Sequence, residues 1–434
     1  MPNADYAKVI LGEGNPLTFA QYTERLAELA GAGLDVGVVQ VGVHEALVRP
    51  HIVHHLMQCH PGLTVEELLV ERAGADRAET VPEEDARALY RQRIPEDLEI
   101  RPPRPVPEAA GGVLWHLHAV NVQPAWDAVG GVDAIDWHDI RVGQVDTGYT
   151  LHQAFGHGPG HESWIAASDC RSFEPFPIGA RPGVDPMPFG ALAAGHGTRI
   201  GATISGAANL PDGLHYRGIA PRVPHVMVRI TDSVVINTRQ AELVQALDYL
   251  VDEAQVRVIN ISLGIFPAIA AKPVREALAR ARAQGVIVVC AAGNDVDQVV
   301  MPAALDSTIA VAGTTWQSLP WSGSSFGPEV DFSAPGANIF RADAKRKGVG
   351  KAYEAGGEGT SYSAAITTGA AALWLLRWKD DIAVRYGAGA QRVDAFRAAA
   401  IASCRKPPGW QPQPFGAGIL DIGRLCTDEA VGLP

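Results

Sequence analysis

From Leu114 onward the chain is written in short unbroken apolar runs, separated by longer stretches where apolar residues return every three or four positions. Five runs, Val142 to Val145, Val223 to Ile230, Val256 to Ser262, Val286 to Ala291 and Thr308 to Ala312, are too short for buried helices and too continuous for strands with one wet face. They read as parallel strands covered on both sides. Thr238 to Ala254 and Pro273 to Gln284 carry helical periodicity and length. Strand, helix, strand alternation predicts an α/β fold with a doubly wound, mostly parallel sheet flanked by helices. In such sheets the chemistry collects at the carboxyl ends of the strands.

The pattern breaks at Arg101 to Gly112, RPPRPVPEAAGG, whose prolines exclude helix and central strand and whose glycines end it flexibly. It reads as a linker over 101–112, between an N-terminal extension over 1–100 and a larger domain over 113–434. The extension reads as small and α/β: a helix at Phe19 to Gly31, a strand at Val36 to Val43, and acidic helical material from Val65 to Arg91. A chain of 434 residues with 47% hydrophobic and 19% charged residues has ordinary globular composition. The net charge of -12 and the lack of a Lys/Arg run argue against nucleic acid and acidic membranes as partners. No run reaches transmembrane length, and Met1 to Thr18 has neither a basic leader nor an apolar stretch. Five scattered cysteines do not form a disulfide framework, so a reducing, cytoplasmic setting is expected.

Three segments carry candidate chemistry. Val142-Gly-Gln-Val-Asp146-Thr-Gly148 ends an apolar run in a carboxylate, which places Asp146 at the sheet's carboxyl edge; an ordinary turn aspartate would look the same. Gly195-His196-Gly197-Thr198 presents a sterically accessible histidine, the usual base near neutral pH, or merely a histidine in a polar loop. Gly359-Thr-Ser361-Tyr-Ser363 leads into a long apolar helix. Ser361 at that helix start would have unpaired backbone N–H groups beside it to hold developing negative charge, and a plain N-cap serine suits the place equally. Ser363 competes for the nucleophile's role.

Taken together, in the order Asp, His, Ser, these segments resemble the subtilisin family of serine peptidases (subtilases, peptidase family S8). The resemblance runs from about Leu114 to Leu425 and includes Leu114-Trp-His-Leu through Pro124-Ala-Trp126, Gly218-Ile-Ala-Pro221, Ser324-Ser-Phe-Gly-Pro328 and Ala334-Pro-Gly336. It implies a serine endopeptidase acting on polypeptide through an acyl-enzyme, without a cofactor. Ser361 would be the nucleophile, His196 the general base and acid, and Asp146 the orienting carboxylate. Ala291-Ala-Gly-Asn294 resembles the oxyanion-hole segment, with Asn294 as the donor. Asn260-Ile-Ser262-Leu-Gly264 resembles the substrate-binding strand, so Ser262, Leu263, Gly264, Ala292 and Gly293 are expected to contact substrate as an added strand would.

Some positions depart from the family pattern. Ala365 and Ile366 replace a proline and a histidine, Arg199 replaces a second histidine, and Ala154 and Phe155 stand where a calcium-binding carboxylate is common. No metal is therefore expected there. Val299, Val300 and Met301 fall where the first specificity pocket would close, implying an apolar or modest-sized P1 residue, or else they are core. Ile265 and Phe266 narrow the cleft entrance or serve as packing. His44, His51, His54, His55 and His60 with Cys59 lack paired-ligand spacing and read as a solvated or packed helix rather than a metal site, and His152, His157 and His161 read as a cleft-edge loop rather than a metal site. Cys290 reads as core. The extension is either an intramolecular inhibitor cut away near Ala109 to Gly112 or a retained adaptor. Rival functions are a ligase or macrocyclase built on the same acyl-enzyme, and a silent peptide-binding protein.

Overall fold

A computed structural model describes residues 106–158, 162–173, 181–187, 193–266, 270–344 and 348–434, with the backbone of five short strands nearer the N-terminus. The chain divides into two compact units, one built mainly from Met1–Glu99 and one holding nearly all the rest. In the first unit, strands Asp5–Leu11, Val39–Gly42, Glu45–Val48 and Leu68–Glu71 form an antiparallel sheet with Asp5–Leu11 between the last two. Val81–Pro82 pairs with the beginning of the first strand.

This corrects the helical reading of Val65 to Arg91 at its described residues, Leu68–Glu71 and Val81–Pro82. Leu68–Glu71 lies in register with Asp5–Leu11, from Lys8 opposite Glu71 to Leu11 opposite Leu68. The apolar triplet Leu68-Leu69-Val70 suits a paired strand, and cross-strand bonding overrides the helix propensity of its leucines and glutamates. The helix expected at Phe19 to Gly31 and the histidines from His44 to His60 lie outside the described residues.

The second unit is a seven-stranded sheet of β1 (Val142–Asp146), β2 (Arg171–Ser172), β3 (His225–Arg229), β4 (Val258–Ile261), β5 (Ile287–Ala291), β6 (Ile309–Thr314) and β7 (Phe332–Pro335). Its order is β7-β6-β5-β4-β1-β3-β2, parallel throughout. The five predicted apolar runs are β1, β3, β4, β5 and β6. β2 and β7 escaped notice because both are short: β2 is only Arg-Ser, and in β7 Ser333 and Pro335 break the apolar run that Phe332 begins. Chain order reverses at β1, which lies between β3 and β4, so the crevice at the carboxyl end of β1 is where an open α/β sheet places a site.

Four helices matter for that crevice: α1 (His196–Ser205), α2 (Gln240–Asp248), α3 (Lys272–Ala283) and α4 (Thr360–Arg377). α4 is buried on every face from Thr360 to Leu375, and apart from its serines and threonines it is apolar all round, as a helix enclosed by its own domain must be. At Gly369 the packing is close enough that a β-carbon would lie 2.5 Å from Ile219 Cβ, so only glycine fits. The expected linker ends differently from its sequence reading. Residues 101–105 lie outside the described residues, but Glu108–Ala110 and Gly112–Leu114 form two tight turns, with Gly112 buried and Gly111 at φ 99°. Proline excludes a regular helix here and still permits such turns.

His225, at the start of β3, is wholly buried; its Nδ1 shares a 2.9 Å hydrogen bond with Ser205 Oγ. Burial holds this imidazole down at about 3. An unfolded histidine titrates near 6.5, so below that pH the unfolded chain binds a proton that the folded chain refuses. The stabilising contribution is complete above pH 6.5 and is lost as pH falls toward the folded value, at up to about 1.4 kcal/mol per pH unit. Urea unfolding at pH 4 to 6.5 is expected to show a slope against pH that is shallower by up to that amount in His225→Gln. Equal slopes in the two proteins would refute the assignment.

Candidate active site

The carboxyl edge of β1 ends in Asp146, which is 1% exposed. Its Oδ1 lies 2.8 Å from His196 Nδ1 and accepts a 2.7 Å bond from the Thr147 N–H, while Oδ2 accepts from Gln144 Nε2 at 3.1 Å. Because an ionised carboxylate only accepts, the proton of the His196 imidazole belongs on Nδ1. Nε2 is thus left as an acceptor, and Ser361 Oγ lies 3.3 Å from it. Asp146, His196 and Ser361 are brought together from the end of β1, the first residue of α1 and the second residue of α4. Ser363 is turned away, its hydroxyl directed at the carbonyls of Ala334 and Pro335 at 3.0 and 3.1 Å. That orientation removes it as a rival nucleophile.

The backbone on both sides of His196 is clamped. Gly195 N–H donates to Asp185 Oδ2 at 2.7 Å, Gly197 N–H to Thr147 Oγ1 at 3.1 Å, and the Gly197 carbonyl accepts from Gln144 Nε2 at 3.1 Å. Thr147 Oγ1 in turn donates to Asp185 Oδ2 at 3.0 Å. Asp185 is buried, and burial pushes its carboxyl above the ordinary value. Sequence reasoning missed it, since a lone aspartate before a proline carries no signal of its partners. Arg199, which stands where the family has a histidine, reaches back to the Ala194 carbonyl at 3.0 Å and braces the same loop.

Asn294 follows the carboxyl end of β5, and its Oδ1 accepts from both the N–H and the Oγ1 of Thr360, each at 2.9 Å. Two donors on one atom identify that atom as the oxygen, so the NH2 group is the end left to donate. Thr360 Oγ1 also bonds the Gly293 backbone at 3.1 Å. Thr360, another residue that sequence reasoning passed over, fixes the Asn294 amide relative to the first turn of α4; its position beside Ser361 was the available clue. The N-cap Gly359 has φ 141°, which a side chain would resist.

Ser262 follows β4 and touches Ser361 twice: its hydroxyl donates to the Ser361 carbonyl at 3.1 Å, and its carbonyl lies 3.4 Å from Ser361 Oγ. Leu263, Ala292 and Ser262 are buried. Val300 fills the gap between the two cleft segments, so that a β-carbon on Gly264 or Gly293 would lie 2.9 or 2.8 Å from its methyl groups. The expectation that Gly264 pairs with substrate meets a difference: its N–H donates to Val234 O at 2.8 Å and its carbonyl accepts from Ile236 N–H at 2.9 Å. Ile265 exchanges bonds with Met301, and both Ile265 and Phe266 are buried as packing residues.

Ala154 and Phe155 are wholly buried in an apolar cluster with Tyr149 and Ile165. His152 caps the short turn after Leu151 by accepting from Ala154 N–H, and burial lowers it to about 4; His157 stacks on Tyr149 with ring planes 8° apart. His161 lies outside the described residues. Cys290 is fully buried in β5, as a core thiol should be, and Cys404 and Cys426 are free buried thiols.

The subtilase family profile matches residues 140–384, more than half of the chain. The minor extracellular protease Epr of Bacillus subtilis (strain 168) is 27% identical over 323 residues, covering 73% of this chain and 42% of its own. The major intracellular serine protease of the same organism is 32% identical over 185 residues, covering 41% of this chain and 54% of its own. This chain thus spans about half the length of such curated relatives. Among solved structures, a protease from Pseudoalteromonas arctica PAMC 21717 has a TM-score of 0.55 at 23% identity, covering 71% of this chain and 95% of its own. MycP1 with its N-terminal propeptide removed has a TM-score of 0.54 at 23% identity, covering 72% and 97%; these two likenesses speak to the fold. With the parallel sheet, its site at the β1 crevice and the matched profile in agreement, the chain belongs to the subtilase family.

Proposed function

We propose that this protein is a serine endopeptidase. The observation that carries the reading is the unbroken path from Asp146 through His196 to Ser361 Oγ, with the Asn294 amide oriented beside the helix start. In this reading Ser361 Oγ attacks the scissile carbonyl as its proton passes to His196 Nε2, and Asp146 stabilises the imidazolium formed. The negative oxygen of the tetrahedral intermediate accepts hydrogen bonds from the Asn294 NH2 and the Ser361 backbone N–H, helped by the positive end of α4. Collapse expels the amine, which takes the proton from His196, and leaves an ester on Ser361. Water, deprotonated by the same imidazole, then releases the acid. Val300 between the cleft segments supports a small P1 residue, because a long side chain entering there would meet its methyl groups.

The test is intact mass spectrometry of the purified protein after exposure to a fluorophosphonate and, separately, to casein. Expected are one probe per chain on Ser361 and casein fragments whose summed masses exceed that of the parent by one water per cut, cut mainly after alanine, glycine or similar small residues. Products lacking that water would indicate a ligase. Trimming of the protein itself near Ala109 to Gly112 would support a self-processed inhibitory segment over a retained adaptor. No labelling and no cleavage would sink the reading.

A further inference from the structure

We propose that the acyl side of this cleft reads only the two residues next to the scissile bond, P1 and P2, because the backbone that would pair with a third is already used by the chain itself. The inference rests on the peptidase reading and narrows its substrate class. A peptide with its carbonyl at Ser361 Oγ and its oxygen toward Asn294 would leave the centre along Ser262 to Gly264, as a strand added to a sheet edge. Such pairing needs open N–H and carbonyl groups every second residue. Near Ser361 the Ser262 carbonyl faces the reaction centre. One step further out the situation changes.

Gly264 spends both of its backbone groups on the segment before α2, donating to Val234 O at 2.8 Å and accepting from Ile236 N–H at 2.9 Å. Two residues later the same segment is fastened again: Asn237 Oδ1 accepts from Phe266 N–H at 2.8 Å, and Asn237 Nδ2 donates to the Phe266 carbonyl. On the opposite side, Ile265 N–H donates to Met301 O at 2.6 Å and the Ile265 carbonyl accepts from Met301 N–H at 3.2 Å. Gly264 to Phe266 is thus the middle strand of a small three-stranded arrangement, with both edges occupied. Ile236 is wholly buried, so the outer segment is anchored by packing as well as by its four hydrogen bonds. A P3 residue finds no partner there, and residues beyond P2 leave the cleft without strand pairing. Selection then falls to P1, P2 and the leaving-group side.

The experiment is a series of internally quenched peptides sharing P2, P1 and the whole leaving-group side, taken from sites cut in casein, with the acetylated acyl side ending at P2, P3 or P4. Active enzyme is counted by fluorophosphonate titration. Two backbone hydrogen bonds at P3 would together be worth roughly tenfold or more in kcat/KM, whereas without them the three peptides should agree within about threefold. A tenfold rise at P3 or P4 in enzyme that takes up the probe would overturn this proposal and leave the peptidase reading standing. No turnover at any length in enzyme that also refuses the probe would remove both.

Discussion

Ser361→Ala is expected to lower kcat for peptide hydrolysis by about 10⁶-fold and to end fluorophosphonate uptake. The substitution deletes one oxygen from a buried side chain whose hydroxyl makes only long contacts, 3.3 Å to His196 Nε2 and 3.4 Å to the Ser262 carbonyl. Little stability should go with it, so the thermal midpoint is expected within a few degrees of the parent. What remains is the Asn294 amide, the helix start and the bound substrate, worth a residual of roughly 10³ to 10⁴ over water. The neighbouring hydroxyls cannot substitute: Ser363 is directed into the β7 backbone, and Ser262 already donates to Asn260 Oδ1 or the Ser361 carbonyl. Retention of more than about 1% of kcat, or labelling at another residue, would show that the nucleophile lies elsewhere. A variant that fails to fold is recognised by its thermal midpoint before any rate is read.

The sheet was legible because its central strands are buried on both faces, and burial on both faces writes a continuous apolar run; β1 and β3 to β6 announce themselves in this way. β2 and β7 do not: Arg171-Ser172 is two polar residues held by the backbone of β3, and in Phe332-Ser-Ala-Pro335 a serine and a proline interrupt a strand that is nonetheless buried throughout. Asp146, His196 and Ser361 each sit at an abrupt change from an apolar run to glycine and polar residues, but that change alone suits a turn aspartate, a loop histidine and an N-cap serine equally; their order and the surrounding segments that resemble the subtilisin family singled them out, and the fold brings the three side chains within reach of one another. The supporting groups were not. Asp185 lies eleven residues before His196 and meets Gly195 only through a loop closure that no periodicity encodes. The occupied edge at Gly264 was hidden for a similar reason: its partners, Val234 and Ile236, lie in the stretch before α2 that no expected element covers. In the N-terminal unit, Leu68 to Glu71 shows the converse error, a segment whose composition favours helix and whose backbone is claimed by Asp5–Leu11.

Asp146→Asn is expected to lower kcat by about 10⁴-fold while leaving the fold in place, and the hydrogen bonds around Asp146 explain why no arrangement of the new amide rescues it. Two donors, His196 Nδ1–H and Thr147 N–H, converge on Oδ1, and Gln144 Nε2 donates to Oδ2. If the asparagine keeps its oxygen at the Oδ1 place, its NH2 faces the Gln144 NH2. Turning the Gln144 amide over cures that contact but sets its oxygen against the Gly197 carbonyl it now serves at 3.1 Å. If instead the asparagine turns its NH2 toward His196, that group also faces Thr147 N–H, and the imidazole must carry its proton on Nε2. A protonated Nε2 cannot accept from Ser361 Oγ. In the first arrangement the base survives but the imidazolium has lost its counter-charge; in the second the base itself is lost. The check is kcat and the rate of fluorophosphonate labelling for Asp146→Asn beside the parent at pH 8, with thermal midpoints to exclude unfolding. Both rates should fall together, because the same deprotonation of Ser361 limits both. A loss below about tenfold would mean that Asp146 only packs against His196, and that the clamp formed by Asp185, Thr147 and Gln144 suffices to position the imidazole.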